Sequence, residues 1–466
     1  MAIERTYQAR LKTRLFEPVD IASVAFFRFL FGALMLISVV RFWANGWIKD
    51  FYITPSFHFH YLGFSWLSPW PAWGMYLHFV VLGVSSLFVM LGLFYRPSAI
   101  ALFLSFTYVE LCEKATYLNH YYLISLLSLL FIVLPLDRAY SLDAWRNPKI
   151  ASDTTPGWVL LILRFQIGLV YFFAGVAKLG PDWLLRAEPL GIWLAAHTDL
   201  PLIGPLLAER WVAHAASLFG AAFDLTVVFF LMNRRTRPFA YAVVVLFHTA
   251  TGLLFPIGMF PWIMSGAALV FFPPDWPRRF LSRFPKLQPA NATTIREDYE
   301  SAAKKRWIVG LLALYAALQL LVPLRHWAFP GNTAFSEEGF RFAWRVMLVE
   351  KLGFLEYRVS NRLTGKTTIV EPAKYLTPVQ ARMMPVSPDM ILELAHHIAL
   401  DFRKRGDDVA VFADAYVTMN GRPSQRLVDP SVDLTKERDS FAHKTWILPL
   451  DEAFREAPLA REAAAR

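Results

Sequence analysis

The apolar positions of this chain fall into long blocks, not onto one face of a helix or alternate residues of a strand. Nine blocks are mostly apolar all round, near 21–42, 73–94, 98–112, 121–136, 157–177, 211–231, 238–256, 261–274 and 307–324. A helix apolar on every side is buried in protein or immersed in lipid, and about 20 such residues cross a bilayer. The pattern predicts a polytopic α-helical membrane protein of about nine spans. The blocks on either side of residues 113–120 are short, as are those on either side of PIGMF, so these pairs are expected to be tilted or broken helices covered by protein or a cavity. The first block is long enough to stay in the membrane, so it reads as a span and not as a removable leader.

After Phe329 the pattern changes. EYRVSNRLTGKTTIV reads as a hairpin turning at Leu363 to Lys366. SPDMILELAHHIALDFRKRG reads as a helix, with Ser387 at its N-cap, Pro388 at its first position, apolar residues at helical spacing and a basic end. VAVFADAYVTM alternates like a half-buried strand and runs into Asn420-Gly421, a tight-turn pair. The division expected is a transmembrane domain over 1–329, a small C-terminal α/β extramembrane domain over 330–456, and a tail over 457–466.

Composition agrees with the lipid reading, since 56% hydrophobic against 18% charged residues lies far from a soluble average. The net charge of +10 would point to nucleic acid in a soluble chain. Here the basic residues gather in alternate connections: Arg5, Arg10, Lys12 and Arg14; Arg96; Arg138, Arg146 and Lys149; Arg234, Arg235 and Arg237; then Arg278 to Arg306. The positive-inside rule makes these cytoplasmic, which puts the N-terminus inside and the C-terminal domain on the outer face. No nucleic-acid partner is expected. The single cysteine, Cys112, excludes an internal disulfide.

Polar and ionisable groups inside apolar blocks are costly and mark either function or buried pairs. Arg28, Arg164, Gln166, Asp224 and His248 are such groups, and the plain alternative is that Arg28 or Arg164 neutralises Asp224. Lys178 ends the block YFFAGVAK at the outer side, just before the polar turn GPD. It either snorkels into water or stands enclosed at a cavity, where burial disfavours an ammonium and favours a general base. Asn119-His120, at the outer end of a short block, can hydrogen-bond and polarise a hydroxyl or carbonyl, or can simply anchor the helix with Tyr121 and Tyr122. Arg345 beside Trp344 is a candidate cation for a carboxylate, or one half of a salt bridge within the outer domain. His58 and His60 have no third ligand at a recognisable spacing, so no metal site is expected.

The stretches LRFQIGLVYFFAGVAKLGPDW, ATYLNHYYLISLL, LFHTATGLLFPIGMFPWIM, FSEEGFRFAWRVMLVEK and QRLVDPSVDL, in that order along the chain, resemble the vitamin K-dependent γ-glutamyl carboxylases and their microbial relatives with horizontally transferred transmembrane domains. The resemblance implies carboxylation of glutamate side chains with CO2, coupled to conversion of reduced vitamin K and O2 to the epoxide. It implies Lys178 as the base toward the hydroquinone and Asn119 and His120 as the Asn-His pair at the quinone site. His248, Arg345, Trp344, Arg164 and Gln166 follow as candidate substrate-binding residues. The implied partners are the lipid bilayer, a menaquinol- or phylloquinol-type cofactor and a glutamate-containing peptide or protein. The chain departs from the animal enzymes at Ala177, where they carry a second lysine, in having too few cysteines for their disulfide, and in ending soon after WILPL, before their propeptide-recognition region. Two rival readings remain: a quinol epoxidase without carboxylation, and a non-catalytic membrane binding protein on the same fold.

Overall fold

The structure, a computed structural model, describes residues 14–283 and 301–451. Arg5, Arg10 and Lys12, the part of the inner basic segment from 284 to 300, and the tail after 456 lie outside the described residues. All nine apolar blocks are helical: α1 (Ala22–Ala44), α2 (Ala72–Leu91), α3 (Tyr95–Cys112), α4 (Asn119–Val133), α5 (Gly157–Ala177), α6 (Arg210–Met232), α7 (Arg237–Leu254), α8 (Phe260–Ala267) and α9 (Ala302–Leu324). Among the described residues six of them, α1, α2, α5, α6, α7 and α9, are long and apolar enough to cross a membrane. The short blocks give α4 and α8, apolar but under span length, and α3, which carries Arg96 and Glu110. The chain is thus a helical membrane protein, with at least part of its bundle built from shorter helices.

The break between α7 and α8 falls where PIGMF predicts it. Phe255 leaves the helix in an extended conformation, Gly258 takes a positive φ of 63°, and Pro261 sits in the first turn of α8, where its missing N–H costs nothing. A two-stranded antiparallel tie, β1 (Pro18–Asp20) with β2 (Thr154–Pro156), joins the starts of α1 and α5.

Beyond α9 the chain forms an antiparallel sheet in the order β4-β3-β5-β6, from β3 (Lys351–Asn361), β4 (Thr367–Val370), β5 (Val409–Met419) and β6 (Gln425–Arg426). The hairpin and the alternating strand stand where the pattern put them, and α10 (Pro388–Lys404) covers the sheet. Its apolar face, Ile391, Leu394 and Ile398, is fully buried against β5 residues such as Val411 and Ala413. The same core takes in Phe59 and Ala115 from loops of the bundle, so the two parts share a continuous hydrophobic seam.

Charged residues fasten that seam. Asp182, in the GPD turn after α5, accepts two bonds from Arg422 (both 2.7 Å) and one from Asn420 (3.0 Å), and also meets Arg186 (2.9 Å). Asp389 on α10 meets Arg341 (2.7 Å) and Lys114 (3.0 Å), while Glu393 meets Lys114 and His60. Burial works against the charged forms of Asp182 and Asp389, but their cationic partners outweigh it and hold both carboxyls below the usual range.

Candidate active site at the seam of bundle and outer domain

On α5 the residues Tyr171, Ala174 and Lys178 recur at helical spacing and share one face. That face, with α6, α7 and the 255–260 break, encloses a cavity of about 270 Å³ whose walls are almost wholly apolar. Gly175 makes the arrangement possible. A Cβ there would stand 2.8 Å from the backbone nitrogen of Leu225, so only glycine lets α6 approach closely enough to set Asp224 against Lys178.

Lys178 is 5% exposed and does not snorkel. Its Nζ donates to Asp224 Oδ2 (2.8 Å) and to the carbonyl of Ala174 (3.3 Å), and lies 5.1 Å from the centre of the Trp183 ring. Trp183 is itself fixed, donating through its indole N–H to the Ser217 carbonyl (2.7 Å). His248 Nε2 stands 2.9 Å from the Tyr171 hydroxyl, while its buried Nδ1 has no hydrogen-bond partner. The polar end of the cavity therefore holds a donor–acceptor pair and one orphaned ring nitrogen, which a hydroxyl or carbonyl would satisfy.

The pairing expected for Asp224 is corrected here: its partner is Lys178 and not Arg28 or Arg164. Arg28 donates to the carbonyls of Val89 and Tyr140, and Arg164 to those of Val270 (2.7 Å) and Phe272 (2.9 Å), so both serve backbone oxygens at helix ends and in the adjoining loops. Gln166 accepts from the Tyr315 hydroxyl (2.6 Å) and ties α5 to α9. Neither Arg164 nor Gln166 lines the cavity around Lys178.

Outer-domain residues Val346 and Met347 roof the cavity. The roof segment is strained, for Phe342, Trp344 and Met347 have φ of 61°, 55° and 56°, a region costly for bulky side chains. It is held by Asn119, whose amide donates to the Arg345 carbonyl (3.2 Å), and by Tyr117, whose hydroxyl accepts from the Phe342 N–H (2.8 Å) and donates to Asn119 Oδ1 (3.2 Å). Trp344 is buried and stacks on Tyr122 at 4.9 Å. Arg345 forms no salt bridge among the described residues; its Nε is buried and unpartnered, and its guanidinium lies 5.7 Å from the Phe340 ring centre. His120 is buried outside the cavity lining, with the Phe260 ring between it and His248, at 6.0 Å from the one and 5.7 Å from the other.

Sequence reasoning passed over Tyr171, Asp182 and Arg422. Tyr171 could have been found from its place seven residues before Lys178 on the same face. Asp182 and Arg422 could have been found as polar turns at the ends of a span and a strand.

The architecture defines a class, an integral membrane protein whose helical bundle meets a C-terminal α/β domain, with the cavity at Lys178 lined by residues of both. Two family models match in tandem, the HTTM domain over residues 16–276 and the vitamin K-dependent gamma-carboxylase lumenal domain over residues 304–453. The chain belongs to the vitamin K-dependent γ-glutamyl carboxylase family. No solved structure matches it significantly.

Proposed function

We propose that this protein is a vitamin K-dependent carboxylase that couples epoxidation of a reduced quinone to carboxylation of glutamate side chains on the outer face. The observation that carries the reading is the Lys178–Asp224 pair, enclosed in an apolar cavity beside the orphaned Nδ1 of His248. These residues suit a quinol, whose ring needs an apolar slot and whose hydroxyl needs both a donor and an acceptor. Phe219 and Leu246 line the cavity and are also exposed on the outside of α6 and α7, so an isoprenoid tail has a way in from lipid.

Reduced vitamin K, with O2, supplies the base strength needed to remove a glutamate γ-hydrogen, which no side chain here possesses. Lys178 takes the proton of the quinol hydroxyl, and the pair with Asp224 then holds one proton more than at rest. Tyr171 fixes the ring of His248, leaving Nδ1 to orient the second oxygen. Asn119 positions the roof through the Arg345 carbonyl, and His120 backs Phe260 at the edge of the slot. Arg345 and Trp344 receive the glutamate from the outer side, with CO2 as its co-substrate. Arg164 and Gln166 serve by fixing α5 against the α8 end and α9. The roof and apolar walls exclude water, which would quench a carbanion.

The test is epoxide formation from reduced vitamin K by the purified chain, with and without a short glutamate peptide and labelled CO2, comparing the native protein with Lys178→Ala. Epoxide and peptide label that vanish together in the variant are expected. Epoxide without label would leave a quinol-only enzyme, and no turnover of any naphthoquinol by folded protein would leave a binding protein.

A further inference from the structure

Between the short helix Leu190–Ala195 and α6, the successive residues from Leu200 to Ala208 carry no charge, and Asp199 and Glu209 bracket them. They form a tight tip. The N–H of Ile203 donates to the Pro201 carbonyl (2.8 Å) and that of Gly204 to the Leu200 carbonyl (2.9 Å). A Cβ on Gly204 would stand 2.2 Å from the Thr198 carbonyl oxygen, so only glycine closes the turn. At the apex Leu202 takes a φ of 68°, a left-handed conformation costly for a bulky side chain, and that side chain is 97% exposed. Ile203 and Leu206 beside it are half-exposed. The tip does not stand clear of the bundle. Its Leu207 is buried in one apolar cluster with Leu190, Leu194 and Trp183 and with Ala213 and Ala221 of α6. Ala221 lies about three turns into a helix long and apolar enough to cross a membrane, so the segment lies back along that helix.

The connection leading into α2 exposes a different kind of apolar residue, Trp66, Trp70 and Trp73, whose rings carry a polar N–H and settle among headgroups. Leucine and isoleucine have no polar end and favour the acyl chains. In water the tip would hold a strained backbone only to expose a leucine, whereas in lipid the same strain buries one. We propose that residues 200–208 dip into the bilayer on the side of the α/β domain, with Leu202, Ile203 and Leu206 among the acyl chains of that leaflet. Leu190 and Leu194 line the cavity that holds Lys178, so the insertion seats one wall of that cavity at the depth of the lipid. The proposal is independent of the carboxylase reading.

The native thiol, Cys112, is buried, so a nitroxide attaches selectively at Leu202→Cys, and at so exposed a position the exchange disturbs no packing. The full chain is placed in phosphatidylcholine vesicles, and collisions of the label with O2, which dissolves in lipid, are compared with collisions with trisoxalatochromate, an anion that stays in water. The control is Leu363→Cys, an 86% exposed leucine on the hairpin turn of the outer domain. Because hydrocarbon strongly disfavours a charge, the ratio of O2 to chromium collisions is expected to be at least about ten-fold higher at position 202 than at position 363. Equal ratios at the two positions would overturn the proposal. So would a label at position 202 that is shielded from both reagents or broadened by a second label, the signs of a protein partner or a second copy on the tip.

Discussion

Lys178 and Asp182 stand four residues apart at the end of α5, yet the cavity pair and the charges of the seam are built differently. Asp182 at the seam has three partners, Arg422, Asn420 and Arg186, and Asp389 has two cations. Among the described residues Asp224 has Lys178 alone, in an apolar chamber that also leaves His248 Nδ1 unclaimed. A network that satisfies its members several times over fastens two bodies together, whereas a pair with spare valences waits for a third party. On the proposed function, the difference separates a structural lock from a reactive centre although both use the same residue types.

The sharpest way to break the comparison is to make the two regions interchangeable. Replacing the cavity pair by apolar residues, Lys178→Met with Asp224→Leu, is expected to lower epoxide formation by at least about 100-fold, the scale of a lost general base. It should leave thermal stability near native, because apolar replacement of a buried pair is neutral or stabilising. A large loss of stability would make the pair structural after all. Asp182→Ala does the reverse. It takes from buried Arg422 the carboxylate that accepts two of its bonds and is expected to cost about 3–5 kcal/mol in seam stability, seen as faster hydrogen exchange over residues 342–351. Gly175→Ala pushes α6 off α5 and is expected to cost about 1–3 kcal/mol while parting Asp224 from Lys178, so activity falls more than stability does.

The smallest effects are those of pH on the seam. The carboxyls of Asp182 and Asp389 sit below their unfolded values, so their contribution is fully present above a pH of about 4 and is lost as pH falls through the lowered values. Glu113 runs the other way. Burial raises its carboxyl to about 7, so its favourable state is the protonated one and support is lost as pH climbs from about 4 toward 7. Glu113→Gln, which removes the ionisable carboxyl and gives up the bond accepted from Gln380 Nε2, is expected to remove the decline between pH 5 and 7 while leaving the acid limb untouched, as measured by thermal melts.

The helices, the broken span at PIGMF, the hairpin and the covering helix α10 were all legible because each is a local matter of apolar runs, turn residues and caps. The position of Lys178 at the end of an apolar block was legible for the same reason. Its partner was not. Asp224 lies 46 positions away, only Arg28 and Arg164 were weighed as its partners, and the pairing depends on how closely α6 can approach Gly175, which is a fact of packing. Arg28 and Arg164 seemed free for pairing only because the carbonyls they serve sit at helix ends that folding brings to them. Asn119 likewise reveals its partner, the Arg345 carbonyl 226 residues on, only in the folded chain.

The roof over the cavity dictates when the protein can first work. Val346 and Met347 are set by β3, which pairs along its length with β5, so the chamber is complete only once residues 409–419 have been made and folded. A nascent chain with every span already in the membrane still has Lys178 under an open ceiling. The late strand thus times the closing of the cavity, and a copy interrupted before it leaves Lys178 uncovered.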